Sequence, residues 1–304
     1  MRLRPMQIQA STRIYGIIGH PVAHSLSPLF QNDFLHQHAI NGCYVAFPVE
    51  PTALTEALAG LWACGVTGIN ITVPHKELTL PLVAADDDAR AIGAVNTLRR
   101  GDCGWQATNT DWIGLRQVIE ALAPHQQPRS VLLFGAGGTA RAVLHACHAL
   151  NIPHLSICNR TTSRAEALSK HAKQQGYAME ITVLPWQQSS VDHGCMQSEL
   201  LINTTTLGLH NGAPFPFSLP ATKGEYPGVA IDAVYQPDGI TPFVRAATQQ
   251  KRAAIDGLPM LIAQGAASFY YWHALRPSRQ QALASVCNHL HRQPLHMHGW
   301  EKNP

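Results

Sequence analysis

The chain has 304 residues, a formal net charge of +3, 45% hydrophobic residues and only 13% charged residues. This length exceeds what one open α/β core usually fills, so we expect two domains. The basic residues are scattered and give no electrostatic footprint for nucleic acid, and no stretch approaches the ~18 uninterrupted apolar residues of a membrane-spanning helix.

The remaining composition indicates a protein without metal or disulfide chemistry. The seven cysteines are widely spaced and contain no Cys-x-x-Cys pair, which favours free thiols in a reducing cytosol. The tail histidines, including His296 and His298, have no partner at metal-ligand spacing, so we expect no metal site. Residues 1–13 lack an apolar core of signal-peptide length, and we therefore expect a cytoplasmic protein.

The first part of the chain alternates short apolar runs with segments of helical periodicity. We predict strands at residues 14–19, 44–49 and 66–73, and helices from Ser27 to about residue 39 and over residues 52–64. Strand and helix continue to alternate along the chain. This alternation favours mainly parallel sheets joined by right-handed crossovers.

Two serines lie in the polar, proline-rich loop after the first strand. Ser25 and Ser27 stand on either side of Leu26, so in an extended loop their hydroxyls would point the same way. Two hydroxyls on one side suit a carboxylate ligand. Alternatively, Ser27 caps the helix that continues with Pro28, and Ser25 faces solvent.

Lys76 and Asp111 are the candidates for proton transfer. Lys76 ends the segment Asn70-Ile-Thr-Val-Pro-His-Lys, and Asp111 ends Asn109-Thr-Asp. Burial would favour a neutral amine whereas a nearby carboxylate would favour the ammonium form, so the two groups are one coupled unit. Taken separately, Lys76 could be a surface residue and Asp111 a helix cap.

Residues 130–150 carry a nucleotide-binding signature. An apolar run at residues 131–134 leads into the turn Gly135-Ala136-Gly137-Gly138-Thr139-Ala140, and helical periodicity follows. The first glycine permits the sharp turn, the second lets the backbone approach a pyrophosphate, and the free N–H groups of the helix face that anion. A purely structural strand–turn–helix corner is the alternative.

The end of the next strand, residues 155–158, indicates which dinucleotide binds. Where NAD would need an acidic residue, the chain has Asn159, Arg160 and Thr161, with Arg164 one helical turn later. Guanidinium groups match a phosphate, so this segment favours NADP. The alternative is a pair of solvated arginines at a helix start.

The remaining segments set the domain organisation. Residues 187–198 are the weakest stretch for regular structure, residues 260–272 are predicted to form a helix that returns to the first domain, and a last helix followed by a frayed tail is expected after about residue 278. We therefore expect a discontinuous substrate-binding domain of residues 1–115 and 258–304, and an NADP-binding domain of residues 116–257.

These motifs, in this order, resemble the shikimate dehydrogenase family over residues 14 to about 275. The motifs that carry the resemblance are His24-Ser-Leu-Ser-Pro28, Asn70 to Lys76, Gly93-Ala-Val-Asn-Thr97, Asn109 to Asp111, Gly135 to Ala140, Asn159 to Arg164, Asp232-Ala-Val-Tyr235 and Asp256 to Gln264. The resemblance implies two open, mainly parallel α/β domains with a cleft between them, the second of Rossmann type. It also implies NADPH-dependent, reversible reduction of 3-dehydroshikimate to shikimate in chorismate and aromatic amino-acid biosynthesis.

The resemblance also implies roles for individual residues. Lys76 and Asp111 would be the catalytic pair. The substrate carboxylate would be held by Ser25, Ser27 and Tyr235, and the ring oxygens by Thr72, Lys76, Asn96, Asp111 and Gln264. The cofactor would contact Gly135, Ala136, Gly137, Gly138, Thr139, Asn159, Arg160, Thr161 and Arg164, with Ala233, Gly257 and Met260 at its nicotinamide end.

Two segments depart from the family pattern, and two other functions compete. Trp112 stands where glycine is frequent, and Thr204 to Thr206 replace an Asn-Ala-Thr-Pro-like run. The rivals are a quinate/shikimate dehydrogenase with relaxed cofactor use and a non-catalytic ligand sensor on the same scaffold. Arg160 and Arg164 argue against strict NAD use, and the retained proton-transfer pair argues against a sensor. The expected partner is a small-molecule substrate, and the sequence leaves open a monomer or a homodimer.

Overall fold

The structure is a computed structural model that describes residues 8–209, 214–220, 228–293 and 295–300. Within these ranges the chain forms two six-stranded sheets, built from separate stretches of sequence. The strands of the first sheet are β1 (Arg13–Gly19), β2 (Gly42–Pro48), β3 (Gly68–Ile71), β4 (Ala84–Ala85), β5 (Thr97–Gly101) and β6 (Gly104–Thr108). The accompanying helices are α1 (Ser27–Gln37), α2 (Leu54–Ala63), α3 (Lys76–Thr79), α4 (Asp87–Ile92) and α5 (Asp111–Leu122).

The first sheet is mixed, in the order β2-β1-β3-β5-β6-β4. β1 pairs in parallel with β2 and β3, whereas β5 is antiparallel to both β3 and β6. Strand β5 and strand β6 form a hairpin whose ends pair at Gly101 and Gly104. A two-residue connection cannot hold the crossover helix of a parallel pair, so the chain reverses direction here. The strand–helix alternation did not predict this hairpin.

The second sheet is parallel throughout, in the order β12-β11-β10-β7-β8-β9. Its strands are β7 (Ser130–Phe134), β8 (His154–Cys158), β9 (Glu180–Leu184), β10 (Leu200–Asn203), β11 (Val229–Asp232) and β12 (Ala253–Ile255). Its helices are α6 (Gly138–Ala149), α7 (Thr162–Gln174), α8 (Gln188–Gln197) and α9 (Pro242–Gln249). The strand order reverses beside β7, where ligands bind in open α/β sheets. The prediction of two mainly parallel α/β units is confirmed.

Two final helices, α10 (Leu258–His273) and α11 (Arg279–His289), follow the second sheet. Helix α10 returns to the first sheet, since Trp272 donates its indole N–H to the Leu98 carbonyl at 2.8 Å and the Phe269 ring lies 5.5 Å from that of Phe34. We propose that residues 1–115 and 258–304 form one domain and residues 116–257 the other. Helix α5 runs unbroken across the first of these boundaries.

Two expectations about regular structure were wrong. Residues 188–197 form α8, because Val191, Gly194 and Cys195 make a buried stripe at helical spacing in an otherwise polar segment. The tail is not frayed over residues 295–300, since Met297 and Trp300 are only 4% and 3% exposed. Among the described helices, none combines the length and apolar character needed to cross a membrane.

The last residue of α10, His273, is held in an aromatic environment that disfavours its charged form. The centroid of its ring lies 4.5 Å from that of Phe269 and 5.2 Å from that of Tyr15, and its Nε2 atom has no partner within the described part of the chain. Desolvation, assisted by the positive charge of Arg13 and by His38, lowers the pKa of His273 to about 4. Between this value and the ordinary 6.5, the unfolded chain binds the proton more readily.

We therefore predict that His273 lowers the free energy of unfolding as the pH falls from 6.5 towards about 4. The variant His273→Phe keeps the ring packing but removes the titrating group. Urea unfolding at about pH 7.5 and about pH 5 measures the effect, and the wild-type protein should lose more stability than the variant between the two. Equal losses in both proteins would contradict this account.

Candidate active site

Lys76 and Asp111 meet at one edge of the first sheet. Lys76 begins α3 just after β3, and Asp111 begins α5 just after β6, so both follow the carboxyl ends of strands that run in the same direction. The Lys76 Nζ atom lies 2.7 Å from Asp111 Oδ2, with side-chain exposures of 14% and 5%. Lys76 is therefore not a free surface residue. The N-cap of α5 is Thr110, without a side-chain cap bond, so Asp111 is not a helix cap.

The second oxygen of the Asp111 carboxylate is held by Asn96. Asn96 Nδ2 donates to Asp111 Oδ1 at 2.8 Å and lies 3.3 Å from Gln264 Oε1. Asn96 Oδ1 accepts from the Thr110 backbone N–H at 2.7 Å, which fixes the amide orientation. The Asp111 N–H donates to Asn109 Oδ1 at 3.0 Å. The carboxylate is thus oriented from both sides while one of the three Lys76 donors binds it.

Beneath this pair lies a buried polar cluster of Asn70, Thr97, Thr110 and Ser268, each at most 5% exposed. Ser268 Oγ lies 2.7 Å from Thr97 Oγ1 and 3.0 Å from Thr110 Oγ1, and it accepts from Asn70 Nδ2 at 2.9 Å. The cluster joins α10 to β3, β5 and α5. Sequence reasoning missed Ser268, although its position one helical turn after Gln264 on the same face was a usable signal.

Tyr44 extends this polar cluster towards the serine loop. Its hydroxyl donates to Asn70 Oδ1 at 2.8 Å. Burial raises the pKa of Tyr44 well above its ordinary value, and the nearby Ser27 side chain opposes that rise. Hydrogen-bonded polar groups therefore connect Tyr44 with Asp111 through the protein interior. Tyr44 had the sequence signature of a buried strand residue, which conceals its polar contacts.

The serine loop differs from both sequence interpretations. Leu26 has helical dihedral angles (φ −83°, ψ −4°), so the loop is not extended between the two serines. Leu26 is the N-cap residue and no side chain caps α1, so Ser27 is not the cap either. Instead, the Ser27 N–H donates to Ser25 Oγ at 3.2 Å, and Ser27 is 2% exposed.

The segment after β11 reaches the same loop. Burial raises the pKa of the Tyr235 hydroxyl, and the nearby Leu26 backbone opposes the rise, so this phenol lies near the serine loop. Gly257 packs so closely on the Ala233 carbonyl that a Cβ atom could not be accommodated, and its N–H donates to the Val234 carbonyl at 2.9 Å. Met260, in the first turn of α10, is 7% exposed.

The glycine turn at the end of β7 opens beside Lys76. Gly135 has φ +110°, and a Cβ atom there would lie 2.5 Å from Thr204 Oγ1, whereas a Cβ on Gly137 would meet no heavy atom within 4 Å. A Cβ on Gly138 would lie 3.6 Å from that of Lys76. The turn is therefore closed on its sheet side and open on the other. This shape, at the N-terminus of α6, fits a pyrophosphate.

The remaining predicted residues lie directly after β3 and at the junction of β8 with α7. Thr72 follows β3 and is half-buried, with its N–H donating to the Ile18 carbonyl at 2.9 Å. Asn159 Nδ2 donates to the Thr161 carbonyl at 2.8 Å. Arg160, Thr161 and Arg164 are exposed at the start of α7.

Both departures from the expected pattern have structural partners. The Trp112 ring packs edge-on against His145 at 4.9 Å, filling the contact between α5 and α6. Thr204 Oγ1 donates to the Phe134 carbonyl at 2.8 Å and thereby supports the glycine turn. No group of three or more His, Cys, Asp or Glu side chains suited to a metal ion occurs in the part of the chain that is described.

Comparison with known proteins agrees with these features. A family model for the shikimate dehydrogenase substrate-binding domain matches residues 17–98. The NADP(+)-dependent shikimate dehydrogenase of a Synechocystis strain is 37% identical over 271 residues, which are 87% of this chain and 91% of that protein. Crystal structures of the Aquifex aeolicus shikimate dehydrogenase and of the Thermus thermophilus shikimate 5-dehydrogenase with NADP(H) and shikimate give TM-scores of 0.81 and 0.78. Their identities are 34% and 30%, they cover 92% of this chain in both cases, and the match spans 99% and 100% of their own chains.

Ser268 contacts the three other members of the buried polar cluster, and this leads to a stability prediction. Ser268→Ala leaves buried partners such as Asn70 and Thr97 each without one hydrogen bond, so we expect the free energy of unfolding to fall by about 1–3 kcal/mol. The matched control is Ser189→Ala, on the exposed side of α8, which should change it by less than about 0.5 kcal/mol. Urea unfolding measures the stability of both variants. If Ser268→Ala were as stable as Ser189→Ala, the hydrogen bonds of the cluster would contribute nothing to stability.

Proposed function

The chain belongs to the shikimate dehydrogenase family, and from this premise we propose that it catalyses the reversible NADPH-dependent reduction of 3-dehydroshikimate to shikimate, in chorismate and aromatic amino-acid biosynthesis. The observation that carries the proposal is the 2.7 Å pair of Lys76 and Asp111 beside the glycine turn. The pair places an amine and a carboxylate next to a turn whose shape fits a dinucleotide.

The proposed chemistry divides between cofactor and protein. When bound, NADP(H) supplies or accepts the hydride at the ring carbon. In reduction, the Lys76–Asp111 pair donates a proton to the oxygen of the same carbon, so the ketone becomes a secondary alcohol, and in oxidation the pair takes that proton back. Asp111 holds the lysine in place, and Asn96 orients Asp111.

We propose that the neutral polar residues recognise the substrate. Ser25, Ser27 and Tyr235 would bind its carboxylate, which their convergence near Leu26 supports. Thr72, Asn96 and Gln264, together with the catalytic pair, would bind the ring oxygens. Because a buried polar group left without its partner is costly, such a lining discriminates between substrates by their hydroxyl pattern.

For the cofactor we propose NADP, bound by three groups of residues. The turn Gly135 to Thr139 would contact the pyrophosphate, which the open space over Gly137 supports. Asn159, Arg160, Thr161 and Arg164 would contact the adenosine end with its phosphate, and Ala233, Gly257 and Met260 the nicotinamide end. We also propose a cytoplasmic location, which seven free cysteines suit, and a monomer or homodimer.

The proposal is tested by following reduction of NADP and of NAD with shikimate and with quinate. We expect the highest kcat/KM for shikimate with NADP, because Arg160 and Arg164 favour a phosphorylated ribose. Faster quinate oxidation with NAD would contradict this and favour a quinate/shikimate dehydrogenase. Absence of turnover with every pair, in a protein that still binds shikimate, would favour a ligand sensor.

The role of the lysine is tested by Lys76→Ala. We predict at least a ~10²-fold lower kcat with a much smaller change in shikimate affinity, because an acid–base group contributes about this factor. Lys173→Ala, on the exposed side of α7, is the matched control and should keep wild-type kcat. Unchanged kcat in Lys76→Ala would reduce this lysine to a binding or structural residue.

A further inference from the structure

A buried ion pair joins the C-terminal tail to the segment that precedes α10. Arg292, three residues beyond the end of α11, binds Asp256 through two bonds, Nη1 to Oδ2 at 2.7 Å and Nη2 to Oδ1 at 3.2 Å. The two side chains are 8% and 0% exposed. Such a two-pronged arginine–carboxylate contact fixes orientation as well as distance.

The Asp256 carboxylate also accepts from the backbone on two sides. The Gln236 N–H donates to Oδ2 and the Leu258 N–H to Oδ1, both at 3.4 Å. One of these amides directly follows Tyr235, and the other begins α10. The carboxylate therefore links residues 233–236 with residues 256–260, the two segments proposed to hold the substrate carboxylate and the nicotinamide end. Gly257, packed on the Ala233 carbonyl, is the direct contact between them.

The Arg292 side chain packs closely on the backbone of Gly239. Gly239 has φ +77°, and a Cβ atom there would lie 2.6 Å from Arg292 Nη2. The tail has an anchor of its own, because Met297 and Trp300 are buried and Gln280 Nε2 donates to the Leu295 carbonyl at 2.9 Å. The tail therefore has contacts besides the ion pair.

We propose that Arg292 is a positioning residue for hydride transfer: by clamping Asp256, it keeps residues 233–236 and 256–260 in the spacing that sets the nicotinamide against the substrate. This inference rests on the proposed function. Arg292 touches neither ligand in this scheme and acts through Asp256. Without the guanidinium, Asp256 would be a buried charge without its partner, and the two segments would shift to solvate it.

The test compares Arg292→Gln and Arg292→Lys with the control Arg276→Gln, an exposed arginine over the Tyr270 ring. We expect Arg292→Gln to lower kcat about tenfold or more, because small displacements of reacting atoms are costly, with less than about a threefold change in KM for shikimate. The primary isotope effect on kcat, measured with shikimate deuterated at the oxidised carbon, should rise. Arg292→Lys should recover part of kcat, and the control should keep all of it.

A second variant and a second measurement keep the proposal testable. If Arg292→Gln does not fold, Asp256→Asn combined with Arg292→Gln removes both charges together, and kcat should still fall because the two-pronged contact that fixes the spacing is lost. Amide hydrogen exchange over residues 233–236 and 257–260 should accelerate in the Arg292 variants, whether or not the protein oxidises shikimate.

Three outcomes would contradict the proposal or the function on which it rests. A lower Tm with unchanged kcat, KM and isotope effect would make Arg292 a structural anchor only. Unchanged exchange in the two segments would contradict the clamp directly. An inactive wild-type protein whose exchange still responds to Arg292→Gln would contradict the proposed function and leave the clamp standing.

Discussion

The contact between Lys76 and Asp111 is the interaction around which the buried polar side chains of the first sheet are arranged. A charged pair that is largely removed from water is tolerated only when its remaining polar atoms are satisfied. Asn96 meets this need for Asp111, and Thr110 fixes Asn96 in turn. Behind them, Ser268 brings α10 into the same network. The return of α10 to the first sheet therefore orients the pair as well as covering hydrophobic surface.

The second sheet supplies the other half of the site through its topology. Its glycine turn lies at the carboxyl end of β7, beside the reversal of strand order, and Gly138 packs against the side chain of Lys76. The Arg141 Nε atom lies 3.5 Å from Glu77 Oε2, an ion pair between the first turn of α6 and the residue after Lys76. The glycine turn and the Lys76–Asp111 pair are thus neighbours. A dinucleotide on this turn would extend towards the pair.

Features formed by residues close together in the chain could be predicted from the sequence, whereas contacts between distant residues could not. The unit from Ser130 to Ala149 was predictable because strand, glycine turn and helix are adjacent in the chain, and Lys76 and Asp111 stood in dense polar motifs. The pattern did not predict Tyr44, Ser268 or Arg292, because their polar contacts join residues 26 to 198 positions apart. The α8 helix was missed because only its sparse buried stripe marks it. The long-range contacts of Tyr44, Ser268 and Arg292 become visible only once the chain is folded.

The most direct measurement is a crystal structure of the protein with shikimate and NADP bound. The account predicts that Lys76 Nζ and an Asp111 carboxylate oxygen both lie within about 3 Å of one substrate hydroxyl, whose carbon faces the nicotinamide. It also predicts the substrate carboxylate at Ser25, Ser27 and Tyr235. A substrate bound with its carboxylate at Lys76, or with the reacting hydroxyl turned away from both groups, would contradict the account.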